Sequence, residues 1–374
     1  MRLWLPRRPA IVLVTAVLLS AALSAQPAKS VNDRDPSVLA RLTDDARVAL
    51  GVPGLSAALS VGEAVVWAQG FGHADLEQNV AVRPETVFRI ASISKPITAT
   101  AVMQLVERGL VSLEDPIQKY VPSFPRKPQG EILVRHLLTH TSGIRHYRGA
   151  EFGSHDYYPT LERAIAVFKD DPLEFAPGER YLYSTYGYNL LAGVVEAASG
   201  RSFDDYLRVN IFNPSGMTTT FLEHPQELVR YRARQYLRGP TLMTWLNAPY
   251  VDLSVKWAGG GIISTASDLL RFDQALDAGR LLRPETQDRM YVSARLKSGA
   301  FTGYGLGWMV IQDGGRVKVA HSGGAMGGTT YLLREPKAKT ACVLLANLDD
   351  VPRLNELADQ LMTLAPRPAS LTTR

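Results

Sequence analysis

Ser92 and Lys95 stand three residues apart in Ser92-Ile93-Ser94-Lys95, at the start of an apolar-periodic stretch. A serine hydroxyl is a poor nucleophile at neutral pH and needs a base beside it. If Ser92 opens a helix, Lys95 lies one turn on and on the same face, where its amine can reach the hydroxyl. The helix N-terminus adds positive potential and free N–H groups near a reacting carbonyl. The spacing alone also describes an ordinary helix start with a surface lysine, so partners are needed.

Two other segments supply them. Tyr183-Ser184-Thr185 follows Pro177-Gly178 and precedes a helical pattern, a place where a tyrosine can point into a cleft. A phenol near two cations can titrate below its free value of about 10 and serve as a base. Packing is the plain alternative for one of 15 tyrosines. His321-Ser322-Gly323-Gly324 follows the strand-like Val317–Ala320. Glycines at a strand edge let a substrate backbone come close, and an N–H there can complete an oxyanion hole with that of Ser92.

Other candidates read differently. His136 and His140 are four apart with His146 near, a spacing that can hold zinc, but no H-E-x-x-H accompanies them. Asp252, Ser254 and Lys256, ahead of Gly259-Gly260-Gly261, read either as cleft-lining residues or, by preference, as a loop beside a sheet. Tyr147–Tyr158 is aromatic-rich and reads either as a gating loop or as covered surface. The single cysteine, Cys342, excludes an intramolecular disulfide framework; within Ala341–Leu345 it is a small buried hydrophobe.

The elements that must position these groups follow from periodicity. Asp35 precedes an amphipathic helix (Leu39, Leu42, Leu50) ended by Gly51. Leu55–Val61 and Val65–Phe71 flank Gly62-Glu63 as a hairpin. A long helix runs from about Ser92 to Glu107, shorter ones cover Glu162–Phe168 and Tyr188–Ala198, and Thr265–Asp268 is a capping box before Leu269–Leu276. Strands follow at Tyr304–Ile311, Val317–Ala320, Thr329–Leu333 and Ala341–Ala346, then a helix at Leu354–Leu364. Strands at both ends with helices between predict an α/β (α+β) fold: one antiparallel sheet built from the two chain ends, flanked by helices, beside a mostly helical lobe.

The chain has 374 residues, 46% hydrophobic and 21% charged, which is ordinary for a packed globular protein. Arg2, Arg7 and Arg8 precede an apolar stretch from Ala10 to Leu23 and the small residues Ser24-Ala25, the pattern of a secretory signal peptide over residues 1–25. An uncleaved anchor is the weaker reading, since a spanning helix needs about 20 residues. Without that segment the net charge of +5 falls to near neutral, which gives no argument for nucleic acid. The expected plan is a signal peptide, a linker over 26–35, one domain over 36–365 and a tail over 366–374, in an exported and most simply periplasmic protein.

Taken in order, the motifs resemble those of the serine β-lactamase/penicillin-binding-protein superfamily. They are Ser92–Pro96, Leu137–Tyr147 (Leu-Leu-Thr-His-Thr-Ser-Gly-Ile-Arg-His-Tyr), Tyr181–Tyr188, Lys256–Gly261, Tyr304–Trp308 and His321–Gly324. The resemblance spans about residues 35–365. It lies with the class C-like branch of esterases and D-aminopeptidases, and within it with mitochondrial serine β-lactamase-like proteins and their bacterial relatives. It implies a β-lactamase/transpeptidase-like fold and an acyl-enzyme on Ser92, with Lys95 and Tyr183 sharing its proton. Ser92 and Gly324 N–H groups would hold the oxyanion, His321 would be a catalytic residue in the place of the superfamily's third-motif lysine, and Gly323 and Thr185 would line the substrate site. No metal or cofactor is implied.

Thr185 stands where lactamases of this class carry Asn, and His321 where they carry Lys. Both departures favour a peptide or ester substrate over a β-lactam. Two other readings stay open: a filament-forming or binding scaffold, since mitochondrial members are associated with filaments, and a penicillin-interactive D-Ala carboxypeptidase/β-lactamase. A homo-oligomer is compatible with any of the three.

Overall fold

A computed structural model describes residues 36–224 and 226–365. The expected signal peptide, linker and C-terminal tail lie outside the described residues. The described chain is built on a seven-stranded antiparallel sheet. Its strands are β1 (Gly54–Val61), β2 (Ala64–Asp75), β3 (Val80–Ala81), β4 (Met309–Asp313), β5 (Arg316–Ala325), β6 (Gly328–Glu335) and β7 (Thr340–Ala346). They lie side by side as β3-β2-β1-β7-β6-β5-β4. The two chain ends therefore meet at the centre, where β1 pairs with β7 from Leu55↔Ala346 to Val61↔Thr340.

Alternation along the central strands sends side chains to two different cores. Leu55, Ala57, Leu59, Cys342 and Leu344 face helices α1 (Pro36–Ala49) and α5 (Leu354–Leu364), meeting Leu39, Leu357 and Leu361. Ala58, Val343 and Leu345 join the larger core on the other face. That core holds α2 (Ser94–Glu107), α3 (Thr185–Ser199) and α4 (Ala266–Asp277). Because both faces are covered, β1 is buried along nearly its whole length. Cys342 is fully buried, and burial pushes its thiol up from its ordinary value.

Three local expectations are corrected. The strand expected over Tyr304–Ile311 is restricted to Met309–Asp313, because Gly303 (φ +74°) and Gly307 (φ +88°) turn the chain before it. A Cβ on Gly307 would lie 2.4 Å from that of Ala99, so this turn packs directly on α2. His321–Gly324 lie within β5 rather than after a strand. Half of the expected capping box forms: Thr265 Oγ1 accepts from the Asp268 N–H at 3.1 Å. The Asp268 carboxylate instead accepts from Thr219 N and Thr220 Oγ1.

Candidate active site

Ser92 sits in a 3-10 turn, Ala91–Ile93, that runs straight into α2. Ala91 has φ +49°, an uncommon conformation for a residue with a Cβ, and it sets the direction in which the turn presents Ser92. Lys95, on the first turn of α2, is fully buried. Its Nζ lies 2.9 Å from Ser92 Oγ, 3.2 Å from Thr185 Oγ1 and 2.7 Å from the Gly259 carbonyl oxygen. Burial, and then the charge of Lys256, hold this amine well below its ordinary pKa. A neutral amine has two N–H donors and one lone pair. Gly259 and Thr185 can accept the two protons, which leaves the lone pair for the Ser92 hydroxyl.

Tyr183 comes from the segment before α3, and its ring centroid is 4.6 Å from Lys95 Nζ. The segment is pinned at its next residue, whose side chain caps α3 by accepting from Gly187 N. Ser184 also donates through Oγ to Arg145 O at 2.7 Å and through N to His140 Nδ1 at 3.2 Å. The expectation that cations lower the Tyr183 phenol is corrected. Burial pushes it up, and the Ser92 hydroxyl beside it pulls only weakly the other way. A phenol nearly closed off from water loses more from desolvation of its anion than neighbouring charge returns. Tyr183 is therefore a neutral donor at ordinary pH.

His321 is buried on β5, between two hydrogen-bond partners. Its Nδ1 lies 2.7 Å from Ser322 O, which must accept, so Nδ1 carries the proton and Nε2 accepts from the Tyr304 hydroxyl at 2.9 Å. Burial and the charge of Lys95 lower its pKa to about 3, so it is neutral throughout the working range. Gly323 is a close-packing position. A Cβ there would lie 2.2 Å from Thr330 Oγ1 and 2.6 Å from Ile90 O, so only glycine lets β5 rest on the turn that carries Ser92. Gly324 faces open space and shares a cavity of about 50 Å³ with Ser92. Thr185, Lys256, Gly259 and the aromatic side chains of Tyr147 and Phe152 complete its walls.

The structure thus brings Ser92, Lys95, Tyr183, Thr185, His321 and Gly324 together, with Gly323 behind them. Sequence reasoning ranked Lys256 as part of a loop ahead of its reading as a cleft-lining residue; it lines the cavity. Lys256 Nζ donates to Phe152 O at 2.7 Å and lies 4.5 Å from that ring's centroid. Burial and Arg89 lower its pKa to about 7, against the pull of Glu223. Its place in the Lys256–Gly261 motif was the available signal. Asp252 and Ser254 do brace the loop, the latter donating to Asp252 Oδ1 at 2.5 Å. Of the three spaced histidines, His136 Nδ1 accepts from Leu133 N, His140 Nδ1 from Ser184 N and His146 Nδ1 from Thr185 N. Each spends a ring nitrogen on backbone, and no metal-holding group occurs among the described residues.

The family model described as Beta-lactamase matches residues 39–366. The chain is 32% identical to the human mitochondrial serine beta-lactamase-like protein LACTB, over 80% of this chain and 71% of that protein. It is 26% identical to the Escherichia coli D-alanyl-D-alanine-carboxypeptidase/endopeptidase AmpH, over 93% of this chain and 95% of the relative. The solved D-amino acid amidase of Ochrobactrum anthropi superposes with a TM-score of 0.76 at 27% identity, covering 88% of this chain and 98% of the other. This chain belongs to the β-lactamase family, within the β-lactamase/penicillin-binding-protein superfamily of serine hydrolases.

Proposed function

We propose that the protein hydrolyses peptide or related amide bonds through an acyl-enzyme on Ser92, with esters as second substrates and little β-lactamase activity. The observation that carries this reading is the Lys95 amine, buried, with its pKa held well below the ordinary lysine value and its third contact on Ser92 Oγ. In the proposed cycle neutral Lys95 takes the Ser92 proton as Oγ attacks the carbonyl, and the N–H groups of Ser92 and Gly324 receive the oxyanion. The protonated Tyr183 phenol passes a proton to the leaving nitrogen and is refilled from Lys95. Water then cleaves the acyl ester by the reverse proton route.

Two features argue against a β-lactam. Thr185 accepts from Lys95, and His321 is neutral and committed to Tyr304, so neither offers a permanent charge to a substrate carboxylate. The names of AmpH and the amidase support amide cleavage. We place the protein outside the cytoplasm on the pattern of residues 1–25 alone. Among the described residues no helix is long and apolar enough to cross a membrane.

Intact-mass measurement after incubation with a fluorophosphonate tests the reading. A single adduct that maps to Ser92 supports it; no adduct at high probe concentration, or one elsewhere, overturns it. Tyr183→Phe is expected to lower kcat about 10²-fold for an amide and less for an ester, whose better leaving group needs less protonation. Full activity toward an amide would remove Tyr183 from the proton route.

The pH profile has a defined sign. Only deprotonated Lys95 can act as the base, so kcat/KM should rise with pH through its depressed pKa and level off above it. The rise should be complete well below 10.5, where an ordinary lysine would still be charged. Stability should move in the same direction. Between the two values the unfolded chain holds a proton that the native site rejects, so unfolding becomes harder as pH rises through that window. Activity that rises only near 10.5 would contradict both statements.

A further inference from the structure

A cavity larger than the one at Ser92 lies elsewhere in the fold. A pocket of about 510 Å³ opens between the short helix Val134–Leu138 with the residues after it and the stretch from Arg289 to Lys297. It shares no lining residue with the cavity at Ser92. Its volume is in the range of small-molecule sites, about 300–1,000 Å³. Leu113, Leu296 and Leu306 give it an apolar floor, and Arg135, Arg289, Arg295 and Lys297 stand around it with no acidic residue in the lining.

Two of these cations are already engaged. Arg135 pairs with Glu114, and Arg295 donates to Gly299 O and rests on the Phe301 ring. Arg289 and Lys297 are exposed, and their side chains make no hydrogen bond or ion pair among the described residues. The walls are held by backbone hydrogen bonds: Gly178 N donates to Thr141 O at 2.8 Å and Lys297 N to Gly178 O at 2.9 Å. Gly178 has φ +85°, and a Cβ on it would meet Lys297 Cε at 3.4 Å and His136 Nε2 at 3.6 Å. The pocket is thus preformed, apolar within and positive at the rim, with two cations free for a ligand.

We infer that this pocket binds an anionic amphiphile, with a carboxylate or phosphate head on Arg289 and Lys297 and an aliphatic body over Leu113, Leu296 and Leu306. Charge complementarity selects the head and the apolar floor selects the body. Octanoate, octyl phosphate, octanol and octyltrimethylammonium can be compared by calorimetry on the full chain. Saturable binding of either anion is expected, and which of the two binds tighter identifies the head group. Arg289→Glu combined with Lys297→Glu should weaken the anion roughly tenfold or more. Arg289→Ala alone should weaken it by less, and Lys95→Met should leave it unchanged. The substituted positions are exposed, so an unchanged Tm is expected and is measured alongside. Equal binding of octanol or of the ammonium, a Kd unaffected by the double substitution, or loss of binding in Lys95→Met would each overturn the assignment.

Discussion

Ser92→Ala is expected to lower kcat/KM for an amide substrate by about 10⁴-fold or more and to abolish the fluorophosphonate adduct. The fold should be untouched. Ser92 Oγ is hydrogen-bonded to Lys95 Nζ, which also keeps Gly259 O and Thr185 Oγ1 as acceptors. Ser92 lines a small cavity and is partly exposed, so removing the oxygen creates no large void. The measurement is paired turnover and thermal unfolding. A large loss of turnover with a Tm held within a few degrees means that chemistry was removed. Residual turnover near wild type would show that the Lys95–Ser92 pair is structural, however well its geometry suits proton transfer.

Lys95→Met should cost about 10²–10⁴-fold in kcat, the usual scale for loss of a general base. Methionine keeps most of the volume, which matters at a position with no exposure. Stability is the separating readout, because two effects oppose each other. The wild-type amine must be stripped of water and most of its charge, so its removal relieves a penalty. Gly259 O and Thr185 Oγ1 lose a donor in return, at about 1–3 kcal/mol for a buried group left unpaired. A net change within about 2 kcal/mol is therefore expected, far smaller than the kinetic loss. The substitution should also erase the rising limb of the pH profile. If that limb persists with only its amplitude reduced, the titrating group is another one. Lys256, with a pKa of about 7 and a wall position in the same cavity, is the residue to substitute next.

Much of this protein was legible in its sequence because the signals were local or periodic. The short apolar runs Leu55–Val61 and Ala341–Ala346 read as strands whatever they pair with, and the helical spacing of Ile97, Ala101, Val102 and Leu105 likewise marks α2. Chain order with strands at both ends implied one sheet closed by its termini, and β1 against β7 is that closure. The Ser92–Lys95 pair was readable because it lies within one helical turn, where sequence distance and spatial distance agree.

Tertiary structure alone decided what depends on segments far apart in the chain. Gly259 and Thr185, 164 and 90 residues from Lys95, supply the acceptors that leave its lone pair for Ser92. The state of Tyr183 was misjudged because nearby cations can be guessed from sequence, whereas burial is a property of everything packed around a group. The same holds for Lys256: its stretch reads as a loop, and only the approach of Phe152, 104 residues earlier, turns it into a wall of the cavity. Residue type and spacing determined which groups could react. Desolvation and long-range hydrogen bonds, which exist only after the sheet and helices close, decided their protonation states.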